Sequence, residues 1–301
     1  MAASTKKVIF VVGPTAGGKS AEALKHAQTF GGSIVNVDSV QFYKGLEIGS
    51  AAPTAAEKEL VPHHLYSYVN APEEMTAGKY VENFYQLLEN ADLKFPLFIV
   101  GGTGFYIQAL EKGLFDIEPI PKQIRSELEA ELEARGAEAL FTELHAKDPQ
   151  TKIHPNDHYR LVRALEILRH TSKIPSQMKS EQDYKKNIFP FPFLKVGYSF
   201  EKDEFLMRVQ KRSANIIRLG LIAEAEHFML QNQEHWAPLS SVGYKEAVQY
   251  LREKKTKDWL QENVVVSTMQ LIKKQKTWFK RDPSILWSDQ SLHIRQFLHD
   301  D

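Results

Sequence analysis

The stretch Gly13–Ser20, with the sequence GPTAGGKS, constrains the fold more than any other part of the chain, because it fits the pattern G-x-x-x-x-G-K-[ST]. An apolar run, Val8–Val12, precedes it and predicts a buried strand, and good helix formers follow at Ala21–Gln28. In a strand–turn–helix context, backbone N–H groups and the helix N-terminus surround a phosphate. The sequence therefore predicts a phosphate-binding loop at the carboxyl end of a strand.

Each position of this loop has an expected part in binding. The predicted diphosphate- or nucleotide-binding residues are Gly13, Pro14, Thr15, Ala16, Gly17, Gly18, Lys19 and Ser20. We expect the glycines to adopt positive φ and to let the backbone approach an anion. Lys19 adds a positive charge, and the Ser20 hydroxyl is the predicted protein ligand of Mg²⁺. The pattern leaves open whether the anion is ATP, GTP or a diphosphate ester.

The composition excludes several kinds of protein. The 301 residues include no cysteine, which excludes disulfides, a thiolate nucleophile and cysteine-ligated zinc. The formal net charge is +0, so the chain is not a strongly basic nucleic-acid binder, although local basic faces remain compatible with this balance. The N-terminal sequence has no apolar signal core and no apolar run reaches the length of a membrane span. We therefore expect a cytoplasmic protein that does not enter a membrane.

The remaining pattern predicts an α/β fold. Further strands are expected at 33–37, 64–68, 96–100 and 193–198, a loop at 42–53, and helices at 77–91, 105–110, 202–219, 222–231, 244–252 and 258–280. Between them, 116–190 is charged and helical, with helices at 122–135 and 137–147 and a third capped by Asn156. We predict a P-loop NTPase-like parallel sheet core at 1–115 and 191–301 with a helical C-terminal part, and a helical insertion domain at 116–190.

Two strand ends carry side chains that suit catalysis. Asp38 follows the predicted strand 33–37, and Thr103 lies in a second glycine-rich turn after the strand 96–100. Ligands of open α/β sheets bind at the carboxyl ends of the strands. The Asp38 carboxylate could bind Mg²⁺ through water or accept a proton from a substrate, or it could simply belong to a turn. Gln41 could contact a base edge, and Thr103 could either face a ligand or lie on the surface.

Basic residues occur in two further places. Arg160 and Arg163 share one helix face, and Leu161 and Val162 contribute to the opposite, apolar side. The run Lys273–Arg281 combines four lysines and an arginine with Trp278 and Phe279. Both patterns suit phosphate or nucleic-acid contact. A solvated charged face explains the first equally well, and a basic helix end that packs its tryptophan explains the second.

Eight segments in one order resemble a known family. They are GPTAGGKS (13–20), DSVQFYKGLEIGSAAPT (38–54), PHHLYS (62–67), TAGKY (76–80), FIVGGTGFYIQAL (98–110), DPQTKIHPNDHYRLVRALEI (148–167), SVGYKEAVQYL (241–251) and QLIKKQKTWFKRD (270–282). With these segments the chain resembles the bacterial tRNA dimethylallyltransferases, or tRNA isopentenyltransferases, of the IPP transferase family. The resemblance covers most of the chain.

The resemblance implies a reaction and roles for individual residues. It implies transfer of a dimethylallyl group from dimethylallyl diphosphate to N6 of the adenosine 3′-adjacent to the anticodon, with Asp38 as general base, Thr103 at the reacting groups, and Mg²⁺. The loop would then hold the diphosphate, and Arg208 or Arg212 would match a diphosphate-binding arginine. The tRNA-contacting positions implied in this way are Asp38, Ser39, Val40, Gln41, Thr103, Arg125, Tyr159, Arg160, Leu161, Val162 and Arg163.

Three other functions remain compatible with parts of the pattern. A small-molecule kinase of the P-loop class would explain the loop, Mg²⁺ and Asp38, but not the second glycine-rich turn together with a helical insertion. An enzyme that prenylates free adenine nucleotides would not need the long insertion. An RNA-binding module without catalysis would not need an intact loop. The resemblance favours tRNA and dimethylallyl diphosphate as partners, the insertion as a tRNA-contacting domain, and a monomer.

Overall fold

The computed structural model of the chain describes residues 6–114, 117–118, 120–181 and 189–300, the side chains of 179–181 excepted. Its strands are β1 (Val8–Val12), β2 (Ser33–Asn36), β3 (His63–His64), β4 (Leu97–Gly101), β5 (Phe193–Gly197) and β6 (Ile285–Leu286). They form one sheet in the order β3-β2-β4-β1-β5-β6, and every neighbouring pair is parallel. The predicted parallel α/β core is confirmed.

Helices connect the strands and extend beyond them. They are α1 (Lys19–Phe30), α2 (Glu47–Ser50), α3 (Ala55–Leu60), α4 (Ala77–Asn90), α5 (Gly104–Lys112), α6 (Lys122–Arg135), α7 (Ala137–Lys147), α8 (His158–Thr171), α9 (Pro175–Glu181), α10 (Lys202–Leu219), α11 (Leu221–Leu230), α12 (Tyr244–Glu253), α13 (Lys257–Phe279) and α14 (Gln290–His299). A 3₁₀ turn covers Ala237–Ser240. No helix in the described ranges combines the length and the apolar character that crossing a membrane requires.

The apolar runs of the sequence become the centre of the sheet. All residues of β1 and β4 are buried, as expected for parallel strands that are covered by helices on both faces. Val12 lies opposite Gly101 of β4 on one side and opposite Gly197 of β5 on the other. The turns that follow these three strands therefore meet at one edge of the sheet.

The chain divides into two compact units. The α/β unit comprises Met1–Leu110 and Pro190–Asp301, and the helical unit comprises Glu111–Phe189. The helical unit has its own apolar core, which includes Leu128 of α6, Leu144 of α7 and Leu165 of α8. The helical unit therefore buries apolar side chains of its own.

Local structure departs from the sequence-based expectations at several elements. Asp157, not Asn156, caps α8, because its carboxylate accepts a hydrogen bond from the Arg160 N–H. The strand expected at 64–68 is only His63–His64, since Leu65 and Ser67 adopt positive φ and turn the chain. The expected loop at 42–53 contains the one-turn helix α2. Two short elements, α3 and β6, and the last helix, α14, were not predicted.

Candidate active site

The phosphate-binding loop, Gly13–Ser20, is shaped by the residues that follow β5. A Cβ on Gly13 would lie 2.3 Å from the Tyr198 carbonyl oxygen, and one on Gly17 would lie 2.9 Å from the same atom. Gly13 and Gly18 have φ values of 134° and 83°, as predicted for glycines of this loop. The expectation of positive φ at Gly17 is wrong: Ala16 takes that conformation instead, with φ 59°, and Gly17 is needed for close packing.

Two cations, the buried Lys19 and the half-buried Arg212, lie near the loop. The Lys19 ammonium donates to the Pro14 carbonyl oxygen at 2.7 Å, and the Arg212 guanidinium of α10 donates to the Ser50 carbonyl oxygen at 3.0 Å. Burial lowers the pKa of Lys19 to about 8, while the Asp38 carboxylate opposes this shift and Arg212 adds to it. Burial also lowers the pKa of Arg212, again against the attraction of Asp38. Two cations that share one carboxylate leave a net positive charge for an anion.

Arg212 and Arg208 differ in their surroundings although they lie one turn apart on α10. Arg208 is exposed, donates to Glu204 at 3.0 Å, and its guanidinium carbon lies 3.7 Å from the centre of the Phe200 ring. Arg212 is half-buried and faces the charges of Asp38 and Lys19. The sequence left the choice between the two arginines open, and the geometry favours Arg212 as the one that faces the loop.

Ser20 offers the donor expected for Mg²⁺. It is the second residue of α1, and its side chain is exposed beside the loop. Mg²⁺ commonly takes one or two protein oxygens and completes its coordination with phosphate oxygens and water. Among the residues that the structure describes, no group of three or more His, Cys, Asp or Glu side chains could hold a metal ion. The donor set therefore fits an ion that arrives with a diphosphate.

Asp38 is fixed by the last residue of β2. Its backbone N–H donates to the Asn36 side-chain oxygen at 2.8 Å, and the Asn36 amide nitrogen donates to the Asp38 carbonyl oxygen at 3.1 Å. One oxygen of the Asp38 carboxylate accepts the Val40 N–H at 3.0 Å. Tyr80 of α4 holds the Asn36 carbonyl oxygen at 2.8 Å. Sequence reasoning missed Asn36 and Tyr80, although a buried asparagine at the end of an apolar strand was a usable signal.

Thr103 connects the two turns that sequence reasoning singled out. Its hydroxyl oxygen accepts a hydrogen bond from the Ser39 N–H at 3.0 Å, which brings the turn after β4 against the turn after β2. The structure therefore places Asp38 and Thr103 beside each other at the edge of the sheet where the phosphate-binding loop lies. Because the oxygen acts as acceptor towards Ser39, its proton can be donated to a ligand.

The segment after Asp38 is braced by helices from the C-terminal part of the chain. The Gln41 amide nitrogen donates to the Ser50 carbonyl oxygen at 3.1 Å, so part of this predicted base-contacting side chain supports its own loop. The Glu224 carboxylate of α11 accepts two N–H groups at the start of α2, at 2.8 and 2.9 Å, and the Tyr244 hydroxyl at 2.6 Å. Nothing in the sequence indicated these partners.

The predicted tRNA-contacting residues of the helical unit converge on one buried carboxylate. Arg163 lies 2.6 Å from Glu166, which is only 2% exposed, and Arg125 of α6 lies 3.9 Å from the same side chain. The Arg125 guanidinium also lies 5.2 Å from the centre of the Tyr159 ring. The structure thus brings Arg125 together with the segment 159–163, although more than 30 residues separate them in the sequence.

The other members of that segment have different environments. Arg160 and Tyr159 are 64% and 66% exposed, and Arg160 forms an ion pair with Asp157. In contrast, Leu161 and Val162 are buried in the core of the helical unit. Their side chains pack α8 and do not reach the surface, so any influence they have on RNA binding is indirect.

The basic run on α13 has a packed face and an exposed face. Lys273 and Lys274 are exposed. Trp278 packs against the second glycine-rich turn, where a Cβ on Gly104 would lie 2.1 Å from the indole ring. The Lys276 ammonium donates to the Phe200 carbonyl oxygen at 2.9 Å. The helix therefore packs with one face on the site and presents exposed lysines on another.

The chain matches two family descriptions. A family described as IPP transferase matches residues 41–282, and one described as isopentenyl transferase matches residues 6–66. The chain is 47% identical to the tRNA dimethylallyltransferase of Bdellovibrio bacteriovorus, over 94% of this chain and 93% of that protein. It is 35% identical to the tRNA dimethylallyltransferase of Geobacter sulfurreducens, over 95% and 93% of the two chains.

Solved structures agree with the sequence relatives. The crystal structure of tRNA delta(2)-isopentenylpyrophosphate transferase from Staphylococcus epidermidis is similar, with a TM-score of 0.66, 28% identity and coverage of 97% of this chain and 100% of that one. A eukaryotic dimethylallyltransferase acting on tRNA superposes with a TM-score of 0.77 at 27% identity, over 95% of this chain and 75% of that one. With a family match over most of its length, the chain belongs to the IPP transferase family.

Proposed function

We propose that the chain transfers a dimethylallyl group from dimethylallyl diphosphate to N6 of the adenosine 3′-adjacent to the anticodon of tRNA. The observation that carries this proposal is the meeting of a carboxylate, Asp38, with two cations, the buried Lys19 and the half-buried Arg212, beside the phosphate-binding loop. A proton acceptor and a cradle for an anionic leaving group are the two requirements of this reaction. The names of the relatives supply the RNA acceptor.

In the proposed step, N6 of adenine attacks C1 of the dimethylallyl group, and the bond from C1 to the diphosphate oxygen breaks. The adenine amino group is a poor nucleophile, because its lone pair is delocalised into the ring. The Asp38 carboxylate accepts the N6 proton, a contribution that typically accelerates a reaction by about 10²–10⁴-fold. The bond from Val40 and the support of Asn36 hold this carboxylate in place before the substrate arrives.

The leaving diphosphate needs its growing charge to be met. Lys19, the loop amides and Arg212 provide fixed positive charge and N–H donors in a buried site, where they require little reorganisation. Mg²⁺, held by Ser20 and the diphosphate oxygens, would supply further charge neutralisation. The Thr103 hydroxyl can donate to an oxygen of the diphosphate or to the nucleoside.

The tRNA would bind through exposed basic and aromatic side chains. In the helical unit these are Tyr159 and Arg160, beside the half-buried Arg125 and Arg163, and on α13 they include Lys273 and Lys274. Taking the target adenine out of its stack costs on the order of a few kcal/mol. Contacts of Arg and Lys with phosphates offset that cost and make binding sensitive to salt.

A single labelling experiment separates this proposal from its rivals. The protein and Mg²⁺ are incubated with labelled dimethylallyl diphosphate and unmodified tRNA, AMP or a matched tRNA in which guanosine replaces the target adenosine, and a parallel incubation contains ATP. We expect label on the unmodified tRNA alone. Label on AMP alone would favour a nucleotide prenyltransferase, and ATP turnover without prenyl transfer would favour a kinase. Label on the guanosine-substituted tRNA would contradict the proposed acceptor position.

A further inference from the structure

One side chain links the phosphate-binding loop to the Thr103 turn. The side-chain oxygen of Gln275, in α13, accepts the Thr15 N–H at 2.9 Å. The amide nitrogen of the same side chain donates to the Gly102 carbonyl oxygen at 3.1 Å. Thr15 and Gly102 follow the adjacent strands β1 and β4, so one amide spans the gap between the two turns.

The surroundings of Gln275 leave little room for adjustment. A Cβ on Gly102 would lie 2.4 Å from the Gln275 amide nitrogen and 3.3 Å from the Gly13 carbonyl oxygen. The adjacent residue, Lys276, ties α13 to the Phe200 carbonyl oxygen at 2.9 Å. The Gln275 amide therefore spans a fixed distance between the Thr15 and Gly102 backbones, and the bond from Lys276 helps to keep α13 in place.

Each turn is also supported without Gln275. The phosphate-binding loop is closed by the Gly17 N–H on the Pro14 carbonyl oxygen at 3.2 Å and by the bond from Lys19 to the same oxygen. The Thr103 hydroxyl is held by Ser39. Removing the amide would leave both turns formed, but the distance between them would no longer be fixed.

We propose that Gln275 is a positioning residue, which fixes the distance between the bound diphosphate and the nucleobase at the Thr103 turn. This inference rests on the proposed function. A misplacement of about 1 Å between reacting groups can cost about 10²-fold in rate. Loss of the amide should therefore slow transfer while leaving diphosphate binding almost unchanged.

The test compares Gln275→Met, which keeps the shape and removes both hydrogen bonds, with Gln275→Asn, which keeps the amide but shortens its reach. The matched control is Thr277→Val, since the exposed Thr277 hydroxyl bonds only within its own helix, to the Lys273 carbonyl oxygen at 2.9 Å. Single-turnover transfer to unmodified tRNA is measured with dimethylallyl diphosphate in excess, and inorganic diphosphate affinity is measured by calorimetry.

We expect both Gln275 variants to lose roughly 10²-fold in single-turnover rate and less than about threefold in diphosphate affinity, with the control unchanged. A wild-type rate in Gln275→Met would overturn the inference. So would a parallel loss of rate and diphosphate affinity, because it would mean that the amide supports the loop itself. If the wild-type protein transfers no label, the proposed function and this inference fail together. If the wild-type protein is active and the Gln275 variants transfer at the same rate, only this inference fails.

Discussion

The cations at the phosphate-binding loop of the α/β unit are shielded from solvent, whereas Arg160 of the helical unit is exposed. Lys19 is buried and Arg212 is half-buried; both donate to backbone carbonyl oxygens, and Asp38 is fixed by the side chain of Asn36. Arg160 is paired with the carboxylate of Asp157, the residue that caps its own helix. The first arrangement fixes a few atoms in place, and the second leaves long side chains free to follow a larger partner.

The two arrangements therefore suit different kinds of ligand. Charges buried in a low-dielectric site interact strongly with a small anion, whereas exposed charges are screened by salt and contribute modestly each. We therefore expect changes at Asp38, Lys19 and Arg212 to alter chemistry and diphosphate binding. Changes at exposed residues of the helical unit should alter tRNA affinity and its dependence on salt.

Replacing the carboxylate of Asp38 should have the greatest effect. Asp38→Asn keeps the side-chain shape but removes the proton acceptor, so we expect the single-turnover rate to fall by about 10²–10⁴-fold. Affinity for tRNA, measured by filter binding, should stay within about threefold of wild type. The control is Asp258→Asn, at an exposed position in the first turn of α13. Transfer at the wild-type rate would remove Asp38 as the base.

The two arginines of α10 should differ. Arg212→Met removes a half-buried cation that faces Asp38, and we expect dimethylallyl diphosphate to bind about 10²-fold more weakly, since truncating a charge shielded from solvent costs more than truncating an exposed one. Arg208→Met, one turn away and exposed, should change this affinity by less than about threefold. Calorimetric titration measures both, and thermal denaturation checks that each variant is folded. Equal losses would mean that the loop draws on both arginines.

Protonation of Lys19 should make diphosphate binding depend on pH. Its pKa is lowered to about 8, so the ammonium form predominates below pH 8 and is lost as the pH rises through that value. We expect the affinity for dimethylallyl diphosphate to be level near pH 7 and to fall by up to about tenfold per pH unit above 8. Titration at a fixed excess of Mg²⁺ measures it. Lys19→Met should bind weakly with no such pH dependence, and a level wild-type profile would contradict the assignment.

The smallest effect is expected from the exposed face of the helical unit. Arg160→Gln should weaken tRNA binding by roughly threefold and reduce the slope of log affinity against log salt by about one, as expected for one lost phosphate contact. The KM for dimethylallyl diphosphate should not change. Arg135→Gln is the matched control, because Arg135 is also exposed and paired with a carboxylate one turn away. An altered KM for dimethylallyl diphosphate in Arg160→Gln would contradict the separate roles assigned to the two units.

Much of the fold could be predicted because single short segments carry the signals. Val8–Val12 and Phe98–Val100 are continuous apolar runs, and both become buried strands. Asp38 and Thr103 could be placed at the active edge because each directly follows such a strand. The loop pattern predicts the backbone conformation of the loop, except that positive φ occurs at Ala16 and not at Gly17.

What could not be predicted depends on partners that are distant in the sequence. Gln275 lies 260 residues from Thr15, and Glu224 lies 176 residues from Ile48, so no local pattern indicates either contact. β6 consists of only Ile285–Leu286 and is too short to show alternation. The choice between Arg208 and Arg212 required the helix to be placed, since the two residues share one face in the sequence pattern.

The Tyr198 backbone packs closely on Gly13 and Gly17, and this contact has a consequence for folding during synthesis. The ribosome releases the complete motif almost 180 residues before the backbone that encloses it. In a nascent chain halted before β5, the loop would lack the Tyr198 backbone that packs on it. Anion affinity should therefore arise abruptly with chain length, and only after the whole helical unit has been made.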